Sequence, residues 1–270
     1  AGTLATTAAA QPEPPSSEPK YLTVVNDLAY FAADDGIHGY EPWVSDGTPE
    51  GTFLLGDLRP GPESSEPRQF CGLGRLVLFT ADDGQRGPEL WKTDGTREGT
   101  TILRDIVPDA GGSSPSGLTA AFGRVFFNAT DMAHGHELWS TDGTPDGTRL
   151  FKDFHPGSPS QDSGRTRIYY PEGGPLFLVQ YAVGKGYEPW VSDGTLEGTV
   201  LLKDILQGNR EDEDYSEASM PMRLGNILLF SAKDKEHGTE LWRTDLTEAG
   251  TVLVADIYPG PEGSRPAQFA

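Results

Sequence analysis

His38, Arg86, His134, Lys185 and His237 recur at one place in the chain. Each precedes a glycine, and each stands three residues before a glutamate, at 41, 89, 137, 188 and 240. Five basic side chains at a repeated position have two uses. Each can pair with a nearby carboxylate, a surface contact worth ~0–1 kcal/mol. Set around one face, they can also address the hydroxyls or carboxylates of a ligand. Three histidines dispersed around a ring cannot share one metal ion.

A second group lies where the copies differ. Residues 155–174 (HPGSPSQDSGRTRIYYPEGG) depart from the repeat and bring Arg165, Arg167, Tyr169 and Tyr170 to the start of the fourth unit. Residues 207–219 lengthen the next connection and carry Glu211, Asp212, Glu213 and Asp214. Aromatics and a basic pair beside such carboxylates would make a polar pocket. Glu211, Asp212 and Asp214 are the candidate metal ligands, with calcium the ion they suit; as a charge run they also read as a solvated loop. No cofactor is required. The Asp-Gly-Thr aspartates Asp46, Asp94, Asp142 and Asp193 read as bonding their own turns, and no alternating calcium-loop spacing is present. Asp57, Asp105, Asp153, Asp204 and Asp256 close the last strand of each unit and are expected to bond crossover amides, a ring of calcium sites being the other reading. Cys71 is the lone cysteine, so neither an intrachain disulfide nor a thiolate metal cluster can form. No G-x-S-x-G elbow, H-E-x-x-H pair or phosphate-binding glycine loop occurs.

The elements that must hold these residues are repeated too. EPWVSDGTPEGT (41–52), ELWKTDGTREGT (89–100), ELWSTDGTPDGT (137–148), EPWVSDGTLEGT (188–199) and ELWRTDLTEAGT (240–251) recur at intervals of 48, 48, 51 and 52 residues. That period fits propeller blades. The 34 Gly and 22 Pro favour turns over helices. Short apolar runs (LAYFAA, LVLFTA, RVFFNA, LFLVQY, ILLFSA) alternate with Gly, Asp and Pro clusters, as strands and turns do. In the second copy the predicted strands are 67–73, 76–81, 89–93 and 100–106. They are joined by a Gly74-Arg75 turn, the DDGQRG hairpin and an Asp94-Gly95 hairpin. The expected fold is all-β, a five-bladed β-propeller with four antiparallel strands per blade. Matching Pro266 to Pro19 gives a closing interval of one repeat, so a closed ring is expected, with an open array as the alternative. All five tryptophans (43, 91, 139, 190, 242) are repeat residues. They are expected to wedge between blades, although stacking platforms for sugars are the other use. Pro42 and Pro189 predict strand starts beside Glu41 and Glu188. Leu246, in place of the usual glycine, predicts a different turn in the fifth copy.

The phrase ELW-x-[ST]-D-G-T resembles the bacterial ELWxxDGT repeat family of predicted secreted proteins, over about residues 19–270. The resemblance implies export and repeat architecture. Residues 1–18 read as a flexible Ala/Thr/Pro-rich leader, and 19–270 as one propeller. With 41 acidic against 21 basic residues the net charge is −20, a poor match for nucleic acid or anionic lipid. No apolar run is long enough to span a membrane. These features point to a secreted or cell-surface, non-enzymatic binding module. Its expected ligand is a carbohydrate or another polar extracellular molecule, held on the face with the long crossovers. A protein–protein adhesion scaffold and a glycan-active hydrolase or lyase are the alternatives.

Overall fold

The computed structural model describes residues 16–108, 111–156, 166–171, 173–182, 184–206 and 216–267. Blade 1 holds β1 (Lys20–Val25), β2 (Leu28–Asp34), β3 (Tyr40–Ser45) and β4 (Phe53–Leu54). Blade 2 holds β5 (Arg68–Leu73), β6 (Leu76–Asp82), β7 (Pro88–Thr93) and β8 (Thr101–Arg104). Blade 3 follows with β9 (Ser116–Ala121), β10 (Arg124–Asp131), β11 (Gly135–Thr141) and β12 (Arg149–Lys152). Blade 4 has β13 (Arg167–Tyr169), β14 (Leu176–Ala182), β15 (Gly186–Ser192) and β16 (Val200–Leu201). Blade 5 has β17 (Ser219–Leu224), β18 (Ile227–Asp234), β19 (Gly238–Thr244) and β20 (Val252–Ala255). Each blade is a four-stranded antiparallel sheet in sequence order, so the chain is a five-bladed propeller. The first strands of blades 1 to 4 neighbour one another in turn (β1 with β5, β5 with β9, β9 with β13) and form the inner edge there.

The Asp-Gly-Thr hairpin is stapled from within. Asp46 Oδ1 accepts from Thr48 N (2.9 Å) and Thr48 Oγ1 (2.7 Å), and Gly51 N donates to Thr48 Oγ1 (3.0 Å). The other four copies repeat this network. The last glycine of the phrase is needed for room. A Cβ on Gly99 would lie 2.0 Å from Asp94 Oδ1. The fifth hairpin does not change shape as expected. Leu246 takes φ 75°, near the 88–90° of its glycine counterparts, and donates its N–H to Thr244 Oγ1 as they do to theirs. The internal bonds over-determine the turn and force leucine into the left-handed region.

The prolines also sit differently from expectation. Pro42 is the third residue of β3 and Pro189 the fourth of β15. Each carbonyl accepts from the outer-strand side, Leu55 N and Leu202 N, both at 2.9 Å. The missing N–H points to that same edge, where the sheet ends. In these two blades the outer strand is two residues long; where leucine replaces proline it has four residues and reaches Leu90, Leu138 or Leu241.

The repeated glutamate anchors the crossover. Glu41 is fully buried and accepts from Leu58 N (3.0 Å), Arg59 N (3.3 Å), Ser65 N (3.1 Å) and Ser65 Oγ (2.7 Å). Glu89 does the same with Ile106, Val107 and Ser113. Glu137, Glu188 and Glu240 likewise accept backbone N–H groups of their own crossovers. These five carboxylates, more than the strand-ending aspartates, satisfy the crossover amides. Asp57 and Asp153 each take one backbone N–H, from Gly61 and His155, whereas Asp105 and Asp204 face Arg86 and Lys185. Burial pushes the carboxyls of Glu41 and Glu188 up to about 7 against the pull of these donors.

The core lies between blades. Tyr30, Val44 and Leu55 of blade 1 meet Phe70, Val77, Phe79 and Trp91 of blade 2, and equivalent clusters join blades 2 to 3, 3 to 4 and 4 to 5. Each large side chain so buried contributes ~1.5–3 kcal/mol. Trp91, Trp139, Trp190 and Trp242 occupy these junctions as wedges; Trp43, on the outer flank of blade 1, is only half-buried. Among the described residues no such cluster joins blade 5 to blade 1, and Leu22 and Ile257 on those flanks are exposed. The expected ring closure is therefore not seen. Ser17 and Ser264 both sit at the position of the crossover serines Ser65 and Ser113.

Candidate ligand-binding cleft

Strand alternation puts the five basic residues on the crossover face, one per blade. Each meets a carboxylate close by. His38 Nδ1 lies 2.7 Å from Asp35 Oδ2, His134 Nδ1 2.8 Å from Asp131 Oδ2, and His237 Nδ1 2.9 Å from Asp234 Oδ2. Arg86 pairs with Asp83 and reaches Asp105, and Lys185 Nζ lies 2.9 Å from Asp204 Oδ2. The hydrogen bond that each of these histidines makes to its aspartate raises its pKa. The arrangement is five separate pairs; in four the aspartate also closes its own hairpin, as where Asp35 Oδ1 accepts from Ile37 N and His38 N, both at 2.9 Å, whereas Lys185 reaches Asp204 in its crossover.

The divergent residues distribute unevenly. Arg167 lies exposed on β13, and Tyr169 packs inward, edge-on to Phe177 at 6.4 Å between ring centroids. Tyr170 emerges at the surface and meets Phe122 edge-on at 5.5 Å. Arg165, Glu211, Asp212 and Asp214 lie outside the described residues.

Phe122 leads to a site on the opposite face. A cleft of about 360 Å³ lies among the first turns of blades 3, 4 and 5 and the Asp-Gly-Thr hairpins of blades 4 and 5. Phe122, Pro175, Ile227, Leu228 and Leu246 supply its apolar surface, and Asp193, Arg223 and Asn226 its polar groups. A second depression continues from it past Arg223 and Asn226 to Pro171 and Met222. Arg223 is fixed by donating from Nε to Gly225 O (3.0 Å) and from a terminal nitrogen to Gly173 O, which ties the turns of blades 4 and 5 together. Asp193 accepts from Thr195 N and Oγ1, and these bonds hold its carboxyl below the ordinary aspartate range.

Two wall residues break the repeat at positions that demand left-handed backbone. The place of Phe122 is filled by Asn26, Gly74, Gly173 and Gly225 in the other blades, all at positive φ; Phe122 adopts φ 51°. The place of Leu246 is glycine in every other blade. A bulky residue in this region costs ~1–3 kcal/mol. Phe122 lies over Gly194, whose added Cβ would come within 2.6 Å of the ring. Blade 4 offers Gly173-Gly174-Pro175 where blade 3 offers Phe122-Gly123-Arg124, and the space left open is the cleft. Reading the sequence for variable crossovers missed Phe122, Arg223 and Asn226. Phe122 was detectable as an aromatic at a recurring glycine position; the convergence of all three was not.

No family model matches the chain, and no curated protein does. Solved structures do. A puromycin hydrolase superposes with TM-score 0.50 at 13% identity, covering 93% of this chain and 38% of that one. A mutant puromycin hydrolase complexed with PGG gives 0.53 at 12% identity, with 92% and 38% covered. A Mycobacterium tuberculosis puromycin-hydrolyzing peptidase gives 0.51 at 14%, with 93% and 38% covered. The likeness is one of fold, and the chain spans well under half the length of these proteins. No helix is long and apolar enough to cross a membrane.

Proposed function

We propose that the protein is a binding module that takes a carbohydrate, or a similar neutral polyol, in the cleft between blades 3, 4 and 5. The observation that carries this reading is the convergence of two bulky residues, Phe122 and Leu246, at left-handed positions on one concave site. Strain of that kind is retained where it has a use. The chemistry agrees with the shape. A half-exposed Phe122 and its neighbour Tyr170 offer ring faces and edges for the apolar side of a sugar. Asp193, Arg223 and Asn226 offer acceptors and donors for its hydroxyls. The net charge of −20 favours a neutral ligand over an anionic one. In this reading the protein is exported and acts at or beyond the cell surface, as the repeat resemblance implies. The cleft binds without making or breaking a bond.

The test is a glycan array followed by calorimetry on the hits, using the whole chain and Phe122→Gly. Binding in the millimolar range or tighter, weakened tenfold or more by the substitution, is expected. If no glycan binds at millimolar concentration, or if Phe122→Gly binds as well as wild type, the reading fails.

A further inference from the structure

The first strand of blade 4 is shorter than its counterparts. β13 has three residues, whereas β1, β5, β9 and β17 have six each. In blades 1, 2, 3 and 5 that strand stays paired up to its turn, as Leu73 with Leu76 and Leu224 with Ile227. In blade 4 the last pair is Tyr169 with Phe177. Pro171 has no N–H with which to continue the pairing. The turn closes outside the ladder, by Gly174 N donating to Pro171 O at 2.8 Å.

The depression beyond Arg223 lies at this shortened edge. It measures about 690 Å³ and runs between Pro171 of blade 4 and Pro221 and Met222 of β17. It shares two wall residues, Arg223 and Asn226, with the 360 Å³ cleft. The cleft alone is near the lower end of small-molecule sites, which span roughly 300–1,000 Å³. The two spaces together make a trough that continues past the first.

Arg223 stands between them. At the same register blades 1, 2 and 3 carry Val24, Gly72 and Ala120, none of which can donate from its side chain. The two bonds to Gly225 O and Gly173 O hold the guanidinium in place. A guanidinium carries more N–H groups than these bonds use. The side chain is exposed, so the remaining donors serve both spaces, and Asn226 is exposed beside it.

We infer that the ligand is an oligosaccharide of two or more units that lies across Arg223. One unit occupies the cleft, the next lies against Pro171, Pro221 and Met222, and Arg223 donates to oxygens at the linkage between them. This rests on the reading of the cleft as a sugar site. A single unit in the cleft would engage Arg223 from one side and leave its other donors to water. Proline rings and a thioether chain give the second unit an apolar surface for its C–H face. The prolines and the tethered arginine have little freedom left to lose, so their contacts add to affinity with a small ordering cost.

Calorimetry with ladders of one to four units tests this, using neutral malto-, cello-, xylo- and chito-oligosaccharides. The proteins are the full chain, Arg223→Met and Met222→Thr. Methionine keeps the apolar stem of Arg223 and removes its donors. Threonine stands at the register of Met222 in blades 1 and 3, as Thr23 and Thr119, and suits the strand. In the best-bound series wild-type affinity should rise tenfold or more from one unit to three. Either substitution should cut that rise to threefold or less. If Arg223→Met melts early, Met222→Thr decides. A single unit that binds as tightly as three overturns the inference and leaves the sugar reading standing, as does a rise kept in full by either folded variant. Failure of every length to bind removes both. Phe122→Gly tells the two apart, since it should weaken all lengths together, whereas these variants change the dependence on length.

Discussion

Replacing Glu41 by glutamine keeps the shape of the side chain and changes only its charge and one face of its hydrogen bonding. The carboxylate receives four donors: Leu58 N and Ser65 Oγ on Oε2, and Arg59 N and Ser65 N on Oε1. An amide oriented to keep the Oε1 bonds turns its NH2 toward Leu58 N and Ser65 Oγ. The hydroxyl can rotate and accept; the backbone N–H cannot. One buried donor is left without a partner, a cost of about 1–3 kcal/mol at pH near 8. The pH dependence adds an independent check. Burial raises the folded carboxyl from 4.5 to about 7, so folding takes up a proton between those values. A raised folded pKa contributes stability that is complete below the unfolded pKa and is lost as pH rises through the folded one. Wild type should therefore gain stability as pH falls from about 8 to about 5.5, and the variant should lack the share due to Glu41 while keeping that due to Glu188. The full shift would be worth about 2 kcal/mol over this range, and solvent near the crossover reduces it to about 1 kcal/mol. Urea unfolding of both proteins at the two pH values measures the difference directly. The gap should be about 1 kcal/mol wider at the acidic value. A gap that is flat with pH would refute the role of burial, and no gap at all would refute the crossover anchor.

Gly99→Ala should cost about 1–3 kcal/mol, since the new methyl displaces Asp94 from Thr96; a wild-type melting temperature would refute the steric account. Leu246→Gly should leave stability unchanged or raise it by up to about 1 kcal/mol, because relief of the left-handed strain offsets the lost apolar contact. Sugar affinity should fall in the same variant, and a marked drop in melting temperature would show that Leu246 serves packing alone. Adding a chelator should not shift the melting temperature, because Asp46, Asp94, Asp142, Asp193 and Asp245 already take donors from their own threonines. A downward shift would point instead to Asp57, Asp105 and Asp204, each of which keeps one buried oxygen unpartnered among the described residues.

The sequence alone determined the blades. Strand period, turn chemistry and the recurring Glu-x-Trp phrase are local properties, and strands expected at 76–81 and 89–93 appear as Leu76–Asp82 and Pro88–Thr93. The wedge role of four tryptophans was legible for the same reason: a large aromatic fixed within a repeated strand has a sheet face to bury against. The partners of residues far apart in the chain were not legible. That Glu41 would bind amides up to 24 residues away depends on where the crossover returns. That Leu246 would keep a glycine's backbone depends on bonds that outweigh its own preference. The cleft needed Phe122, Asp193 and Arg223 from three different blades to meet, and the bare flanks of blades 1 and 5 needed the relative placement of whole sheets. Local rules act over a few residues. Which side chains share a cavity, and which flanks go uncovered, follows only from how the rigid blades pack against one another.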